Sequence, residues 1–248
     1  MNYRQCVHRF TKFAKTYDFS IGPVKYKYYH TFRVVKYAVF IAKRMGLDAE
    51  NVALAKVVAL LHDLARFEQW TKYATFEDSR SFDHGDLAVK MLFDDGLISE
   101  FEIEEKYYPA IRFAVANHNK YAIGAAAVPS GAADALLHAR IIRDADKIDI
   151  IASVINGRIN EHDRDNLTGV SPDVREDIKV KRPVDRRKIK TAADGVLALM
   201  SFYFDLETDA AREVFKRRRF INGIYRARAK HLCPADAQAV KNIADEIG

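Results

Sequence analysis

Residues 60–66, Leu-Leu-His-Asp-Leu-Ala-Arg, place a histidine and an aspartate side by side at the end of an apolar run. A buried carboxylate requires a charged or metal partner, and a buried histidine beside it is a second polar group to be compensated. Adjacent side chains on a helix point about 100° apart, so both reach one centre only from a helix edge that faces a cleft. His62 and Asp63 are therefore candidate metal ligands, and a partly solvated, inert pair at a helix end is the competing interpretation.

Apolar residues along the rest of the chain recur mainly with helical spacing, and no useful length of sequence alternates as a β-strand does. The spacing predicts an all-α fold. The predicted helices cover residues 3–16, 30–45, 48–66, 83–95, 102–119, 132–155, 192–206, 209–226 and 234–247. Residues 156–191 are predicted to form a long loop or short irregular helices. The aromatic and polar segment 75–82 is a candidate substrate lid.

Composition excludes several classes of protein. The net charge is +6, concentrated in basic clusters within 179–188 and 216–219 that we interpret as solvated surface, so nucleic-acid binding is not expected. The two cysteines are far apart in the sequence and show no disulfide framework, which fits a reducing cytoplasm. The first thirty residues do not have the pattern of a signal peptide, and the longest apolar run, 196–204, is too short to cross a bilayer. We therefore expect a cytoplasmic protein with no membrane role.

Four further residues, three histidines and an aspartate, each lie at the end or on the apolar face of a predicted helix: His30, His84, His118 and Asp146. Each of them alone is more often a satisfied structural residue. Together with His62 and Asp63 they form a set spread over five predicted helices, and a shared centre explains them better than separate coincidences.

This order of residues resembles the HD superfamily of metal-dependent phosphohydrolases, whose signature is H…HD…D on a helical core. The matching residues are His30, the pair His62-Asp63, and Asp146 followed by Lys147; the family's preference for the aspartate before a basic residue selects Asp146 over Asp144. The resemblance covers residues 25–155. It implies an HD-type core over 1–160, with 161–248 forming a C-terminal loop and helices packed on the same domain.

His84 and His118 match the two extra histidines of HD proteins that hold two metals. The resemblance implies a first ion on His30, His62, Asp63 and Asp146, and a second on Asp63, His84 and His118. It implies one or two divalent transition-metal ions, with Mn, Fe, Co, Ni and Zn all compatible with imidazole and carboxylate ligands.

The expected activity is hydrolysis of a small phosphate ester, a monoester or diester such as a nucleotide, by metal-activated hydroxide. The resemblance implies that Asp63 would bridge the ions. Arg66 and Lys147 would neutralise phosphoryl oxygens, and Glu68 would act on the attacking water. Glu77 or Asp78 would orient ligands or protonate the leaving group. Two alternatives remain open: a di-iron oxygenase of HD type, and a non-catalytic HD module that binds nucleotides or nucleic acid.

Overall fold

Helices form the secondary structure of this chain in a computed structural model, which describes residues 1–123, 133–159 and 167–247. These residues contain no β-strand, so the predicted all-α class is confirmed. Two compact units divide the chain, Met1–Asp146 and Lys147–Gly248. The predicted boundary at residue 160 and the small-residue loop Gly124–Gly131 lie outside the described residues.

In its described residues, the first unit contains six α-helices and the first part of a seventh. Their bounds are α1 Tyr3–Ala14, α2 Gly22–Arg44, α3 Ala49–Leu61, α4 Arg66–Tyr73, α5 His84–Val89, α6 Tyr108–Asn117 and α7 Ala133–Ile155. A π-helical turn, Lys90–Asp94, extends α5. Asp48 and Asp83 accept hydrogen bonds from backbone N–H groups in the first turns of α3 and α5, as N-cap residues do.

Helix α3 is central to the first unit and packs against α1, α2 and α6. Eight of its thirteen residues are apolar and buried, including every residue of 57–61, as expected for a helix whose C-terminal half is enclosed by others. The helix ends at Leu61, and the chain turns through residues 62–65 before α4 begins. His62 and Asp63 therefore lie at the buried end of the central helix.

Three predicted boundaries in the first unit are wrong for physical reasons. Helix α2 begins at Gly22 because Pro23 occupies the first turn, where its missing N–H is harmless, so His30 lies inside the helix rather than at its head. The helix predicted to reach Arg66 is two helices with a turn at the histidine-aspartate pair. Helix α6 begins at Tyr108, again with a first-turn proline, Pro109.

Where the structure describes the second unit, it contains the end of α7 and five further α-helices: α8 Pro172–Lys179, α9 Ala192–Ser201, α10 Asp209–Arg217, α11 Phe220–Arg228 and α12 Pro234–Ile247. Helix α9 is largely buried and contacts α8, α11 and α12. The single helix predicted over 209–226 is interrupted where Arg219 adopts a left-handed φ of 50°. None of the helices in the described parts of the chain combines the length and the hydropathy that a membrane span requires.

Candidate metal centre

The six predicted metal ligands come together in the first unit. His30 lies on α2, His62 and Asp63 follow α3, His84 opens α5, His118 follows α6, and Asp146 lies on α7. The four histidines and Asp63 are buried, and Asp146 is partly exposed. These side chains form the candidate metal centre.

Asp63 lies between two sets of ligands, with one carboxylate oxygen toward each. Its Oδ2 atom is 3.4 Å from Nε2 of His30 and 3.5 Å from Nε2 of His62. Its Oδ1 atom is 3.4 Å from Nε2 of His84 and 3.6 Å from Nε2 of His118. The carboxylate is thus positioned to serve both sets at once.

Asp146 belongs to one of these sets. Its Oδ1 atom is 3.1 Å from Nε2 of His30 and 3.8 Å from Nε2 of His62. We call His30, His62 and Asp146 the Asp146 side of the centre, and His84 and His118 the His84 side. Donor atoms of His30, His62 and Asp146 all lie within 4.8 Å of one another, and the same is true of His62, Asp63 and His118.

Two of the imidazole rings are fixed by backbone carbonyls of their own helices. Nδ1 of His62 lies 2.7 Å from the carbonyl oxygen of Ala59, and Nδ1 of His118 lies 2.7 Å from that of Val115. Both histidines follow the last residue of a helix, where backbone carbonyls lack an intrahelical partner and accept other donors. Since a carbonyl only accepts, each Nδ1 carries the hydrogen, and in the neutral ring Nε2 presents a lone pair to the centre.

His84 is fixed instead by a side chain. Its Nδ1 lies 2.7 Å from Oδ2 of Asp78, and Asp78 also accepts from Arg66, Gln69 and Asn119. The Asp78 carboxylate therefore orients the ring and holds the hydrogen on Nδ1. The prediction that Glu77 or Asp78 would orient a ligand agrees with this contact of Asp78.

Burial sets the charge states of two histidine ligands, and neighbouring groups set those of the two aspartates. Burial lowers the pKa of His62 to about 3 and the pKa of His84 to about 4, so both rings are neutral at pH 7. Burial alone would raise the pKa of Asp63, but the ammonium of Lys27 holds that pKa well below its usual range. Burial would also raise the pKa of Asp146, but its hydrogen bond with His30 lowers that pKa. Neutral imidazoles and ionised carboxylates are the forms that bind metal ions.

These side chains fit a divalent cation because their lone pairs converge. The two Nε2 atoms of His84 and His118 are 2.9 Å apart, and each faces Oδ1 of Asp63. Nε2 of His62 is buried and has no hydrogen-bond partner among the described residues. Acceptor atoms directed at one another are unfavourable without a cation or a proton between them, and the lowered pKa values of His62 and His84 disfavour a proton on those two rings. Imidazole and carboxylate donors suit first-row transition metals.

Two cations, Lys27 and Arg66, flank Asp63. Nζ of Lys27 is 2.6 Å from Oδ2, and Nε of Arg66 is 3.4 Å from Oδ1. Nη1 of Arg66 also donates to Gln69, to the carbonyl of Phe76 and to Asp78. The predicted position of Arg66 beside the ligands agrees with these contacts.

Two other predicted residues, Glu68 and Lys147, have their described contacts with other side chains. The contacts described for Glu68 are with Tyr17, whose hydroxyl is 3.1 Å away, and with Lys72 at 2.7 Å. Nζ of Lys147, the residue after Asp146 in α7, lies 2.9 Å from Asp205 in the second unit. The catalytic roles of Glu68 and Lys147 stay predictions.

Arg143 is buried and donates to the carbonyl oxygens of Asn117, Lys120 and Tyr121, at and just after the end of α6. Because His118 lies in this segment, Arg143 helps to hold one of the ligands in place. Asp149 is also buried and accepts from Ser153 at 3.4 Å.

Sequence reasoning missed Lys27, Gln69 and Asn119. Lys27 precedes His30 by one helical turn and so shares its face, which is a signal that spacing provides. Gln69 and Asn119 act through Asp78, which lies in an irregular segment. No periodicity links that segment to either residue.

Comparison with protein families agrees with the geometry. The HD domain family matches residues 28–151, half of the chain, and this range contains all six ligands. Neither the curated proteins nor the solved structures include a match to the chain. HD domains bind divalent metals, and the His and Asp clusters described above are of the kind that holds one. The chain therefore belongs to the HD-domain family, whose members are mostly metal-dependent hydrolases.

Proposed function

We propose that this protein is a metal-dependent phosphohydrolase that acts on a small phosphate ester such as a nucleotide, either a monoester or a diester. The observation that carries the proposal is the position of Asp63, whose two oxygens face two sets of histidines while a cation flanks each oxygen. A metal centre lined by cations suits an anionic substrate.

When bound, divalent ions at such a centre would activate a water molecule and withdraw charge from phosphoryl oxygens. Asp63 would hold both ions, since each of its oxygens faces a separate set of imidazoles. The rings of His62 and His118, fixed by backbone carbonyls, would present their Nε2 atoms without rearrangement. Such prior positioning reduces the reorganisation that catalysis requires.

Arg66 is the residue that we propose to stabilise negative charge on the substrate. Its guanidinium lies beside Oδ1 of Asp63 and is held by Gln69 and Asp78, so its orientation is set by the protein. Nε and Nη1 already donate to protein acceptors, so the two N–H groups of Nη2 are the donors that it would present to a phosphate oxygen. The segment containing Asp78 thereby links the arginine to the orientation of His84.

The flanking cations also bear on the oxygenase alternative. The six ligands would serve a di-iron centre equally well, so the ligand set alone does not separate the two reactions. Cations at both oxygens of Asp63 favour an anionic phosphate ester over an uncharged oxygenase substrate. The second alternative, a non-catalytic HD module that binds nucleic acid, would give a salt-dependent gel shift without turnover.

The test is a hydrolysis screen on protein of known metal content. Chelated protein is reloaded separately with Mn²⁺, Fe²⁺, Co²⁺, Ni²⁺ or Zn²⁺, and bound metal is counted by elemental analysis. Phosphate release is then measured over nucleoside monophosphates, cyclic nucleotides and sugar phosphates. We expect metal-dependent release from at least one class. The isosteric variant Asp63→Asn, purified in parallel, serves as the control for contaminating phosphatases.

Two outcomes would overturn the proposal. One is metal-loaded, folded protein that releases no phosphate from any ester with any of the metals. The other is release that the Asp63→Asn preparation shows to the same extent. Oxygen consumption by the Fe²⁺-loaded protein, without phosphate release, would transfer the assignment to the oxygenase class.

A further inference from the structure

Lys27 is a buried cation in the candidate metal centre. It lies on α2, one turn before His30, and its side chain is 10% exposed. Its Nζ donates to Oδ2 of Asp63 at 2.6 Å, and Asp63 is its one hydrogen-bond acceptor among the described residues. An ammonium group has three donors, so two of them remain available to a ligand.

Lys27 and Arg66 both lie near the aromatic ring of Phe76. Nζ of Lys27 is 5.2 Å from the centre of the Phe76 ring, and Cζ of Arg66 is 5.6 Å from it. The two cations therefore lie against the same aromatic ring and on the two oxygens of the same carboxylate. Asp63 is the anion that lies between the two cations, so a metal ion that takes over the charge of Asp63 would leave them in need of another anion.

The charge balance of the centre indicates where that anion is needed. Asp63, Asp78 and Asp146 are three carboxylates of this centre, each in contact with a cation or an imidazole, and they count as three negative charges. Lys27 and Arg66 carry two positive charges, which leaves the set at −1. One divalent ion would bring it to +1 and two would bring it to +3. Buried net charge is unfavourable, so the metal-loaded centre requires an anionic ligand.

We propose that Lys27 is a phosphate-binding residue of the centre, and that it couples phosphate binding to metal binding. With a divalent ion on Asp63, the carboxylate no longer needs the charge of Lys27, and the ammonium donates to a phosphoryl oxygen. The inference rests on the proposed function and deepens it, because it assigns a residue to the substrate's phosphoryl group.

A purely structural role for Lys27 leads to different behaviour. If Lys27 only neutralised Asp63, its removal would leave the affinity for phosphate unchanged once metal replaced that charge. If it binds phosphate, its removal weakens phosphate binding in the metal-loaded protein and leaves the metal in place. Binding linkage is reciprocal, so phosphate should also tighten metal binding in the wild type.

The experiment measures binding of inorganic phosphate by calorimetry to Mn²⁺-loaded and to chelated protein. The variants are Lys27→Met, which removes the charge, and Lys27→Arg, which keeps it. Lys25→Met is the matched control, because Lys25 is an exposed lysine on the same helix. All variants are prepared with Mn²⁺ present, and bound Mn²⁺ is counted for each.

We expect wild-type protein to bind phosphate at least about tenfold more tightly with Mn²⁺ than without it. Lys27→Met should keep its Mn²⁺ and bind phosphate roughly 10- to 100-fold more weakly, as expected for loss of a charged hydrogen bond. Lys27→Arg should retain most of the affinity, and Lys25→Met should behave as wild type.

Wild-type phosphate affinity in Mn²⁺-loaded Lys27→Met would overturn the inference alone and leave the proposed function intact. Failure of Lys27→Met to fold or to hold Mn²⁺ would also overturn it, because Asp63 would then need Lys27 even with metal present. A Mn²⁺-loaded wild-type protein that binds no phosphate would contradict both this inference and the proposed function.

Discussion

The two sides of the candidate metal centre are built differently. On the Asp146 side, His30 and His62 share two carboxylates, Asp63 and Asp146, and the ring of His62 is fixed by a carbonyl of its own helix. On the His84 side, Asp63 is the carboxylate that faces both histidines, and the ring of His84 is fixed by Asp78.

This difference concerns both charge and support. A divalent ion on the Asp146 side would meet two negative ligands, whereas an ion on the His84 side would share one of them. Asp78 lies in the irregular segment between α4 and α5, while the carbonyl that fixes His62 belongs to the central helix. We therefore expect the His84 side to bind its ion more weakly and to be more sensitive to substitution.

The largest effect is expected where the two sides meet. Asp63→Ala should remove both ions and abolish hydrolysis, because Asp63 faces every histidine of the centre. Chelated protein should lose roughly 3–5 kcal/mol in its free energy of unfolding, since Lys27 is left buried without its partner. Metal content, phosphate release and denaturant unfolding measure the three effects.

Asp95→Ala is the matched control for Asp63→Ala, because Asp95 is an exposed aspartate of the same unit that pairs with Lys90. It should leave metal content and hydrolysis unchanged. An Asp63→Ala protein with wild-type activity would remove the assignment of the active site.

Removing the ligands of one side should separate the two ions. His84→Ala/His118→Ala leaves His30, His62, Asp63 and Asp146 in place, so one ion should remain while hydrolysis falls by roughly 10²-fold or more. His30→Ala/His62→Ala should instead lose the ion of the Asp146 side, which the wild-type protein binds more tightly. Elemental analysis at increasing concentrations of free Mn²⁺ measures the difference between the two double variants.

Two results would contradict this asymmetry. Wild-type protein that holds one ion per chain in excess metal would return His84 and His118 to a structural role. A His84→Ala/His118→Ala protein that still holds two ions would show that the second ion binds elsewhere.

The ligands could be predicted from the sequence because each lies on or beside a regular helix. Helical spacing puts His30 and Asp146 on apolar faces, where an unpaired polar group is unfavourable. The helix following His62 and Asp63 was not predicted, since the eight residues of α4 are too few for a periodic pattern to stand out. The turn between α3 and α4 directs both side chains to the centre, and helical spacing alone does not predict that turn.

The supporting residues were harder to predict. Lys27 shares the face of His30, but lysine is among the residues least often buried, so composition argued against it. Asp78 and His84 are joined across an irregular segment, where spacing does not determine which side chains meet. The sequence thus predicts residues on regular helices better than it predicts the contacts that fix their orientation.

A smaller and one-sided effect is expected from Asp78→Asn. Asparagine keeps the shape of the side chain but removes the charge that holds the hydrogen on Nδ1 of His84. Loss of such a partner weakens metal binding about 10- to 100-fold, so the affinity of the His84 side for its ion should fall by that factor. The ion on the Asp146 side should be unaffected. Glu77→Gln, at the exposed neighbouring position, is the control, and equal weakening of both ions would contradict the separation of the two sides.

The smallest effect is expected from Gly85→Ala, which tests the packing of α5 against α6. A Cβ atom at Gly85 would lie 2.7 Å from Oδ1 of Asn119 and 3.0 Å from the carbonyl oxygen of Val115. The Asn119 side chain or helix α5 would have to shift, which typically costs about 1–3 kcal/mol, and a shift of α5 would move His84 relative to His118. The ion on the His84 side should bind about tenfold more weakly, with the other ion unchanged.

Gly195→Ala is the matched control, because a Cβ atom at this position in α9 would have no neighbour within 4 Å. Alanine is the better helix former, so this variant should be slightly more stable, by up to about 1 kcal/mol, with both ions retained. Thermal unfolding of the chelated proteins gives the packing effect without metal, and Mn²⁺ titration gives the effect on each ion. Should Gly85→Ala bind both ions as wild type does, the distance between α5 and α6 would not limit the His84 side, and its weaker binding would have to come from charge alone.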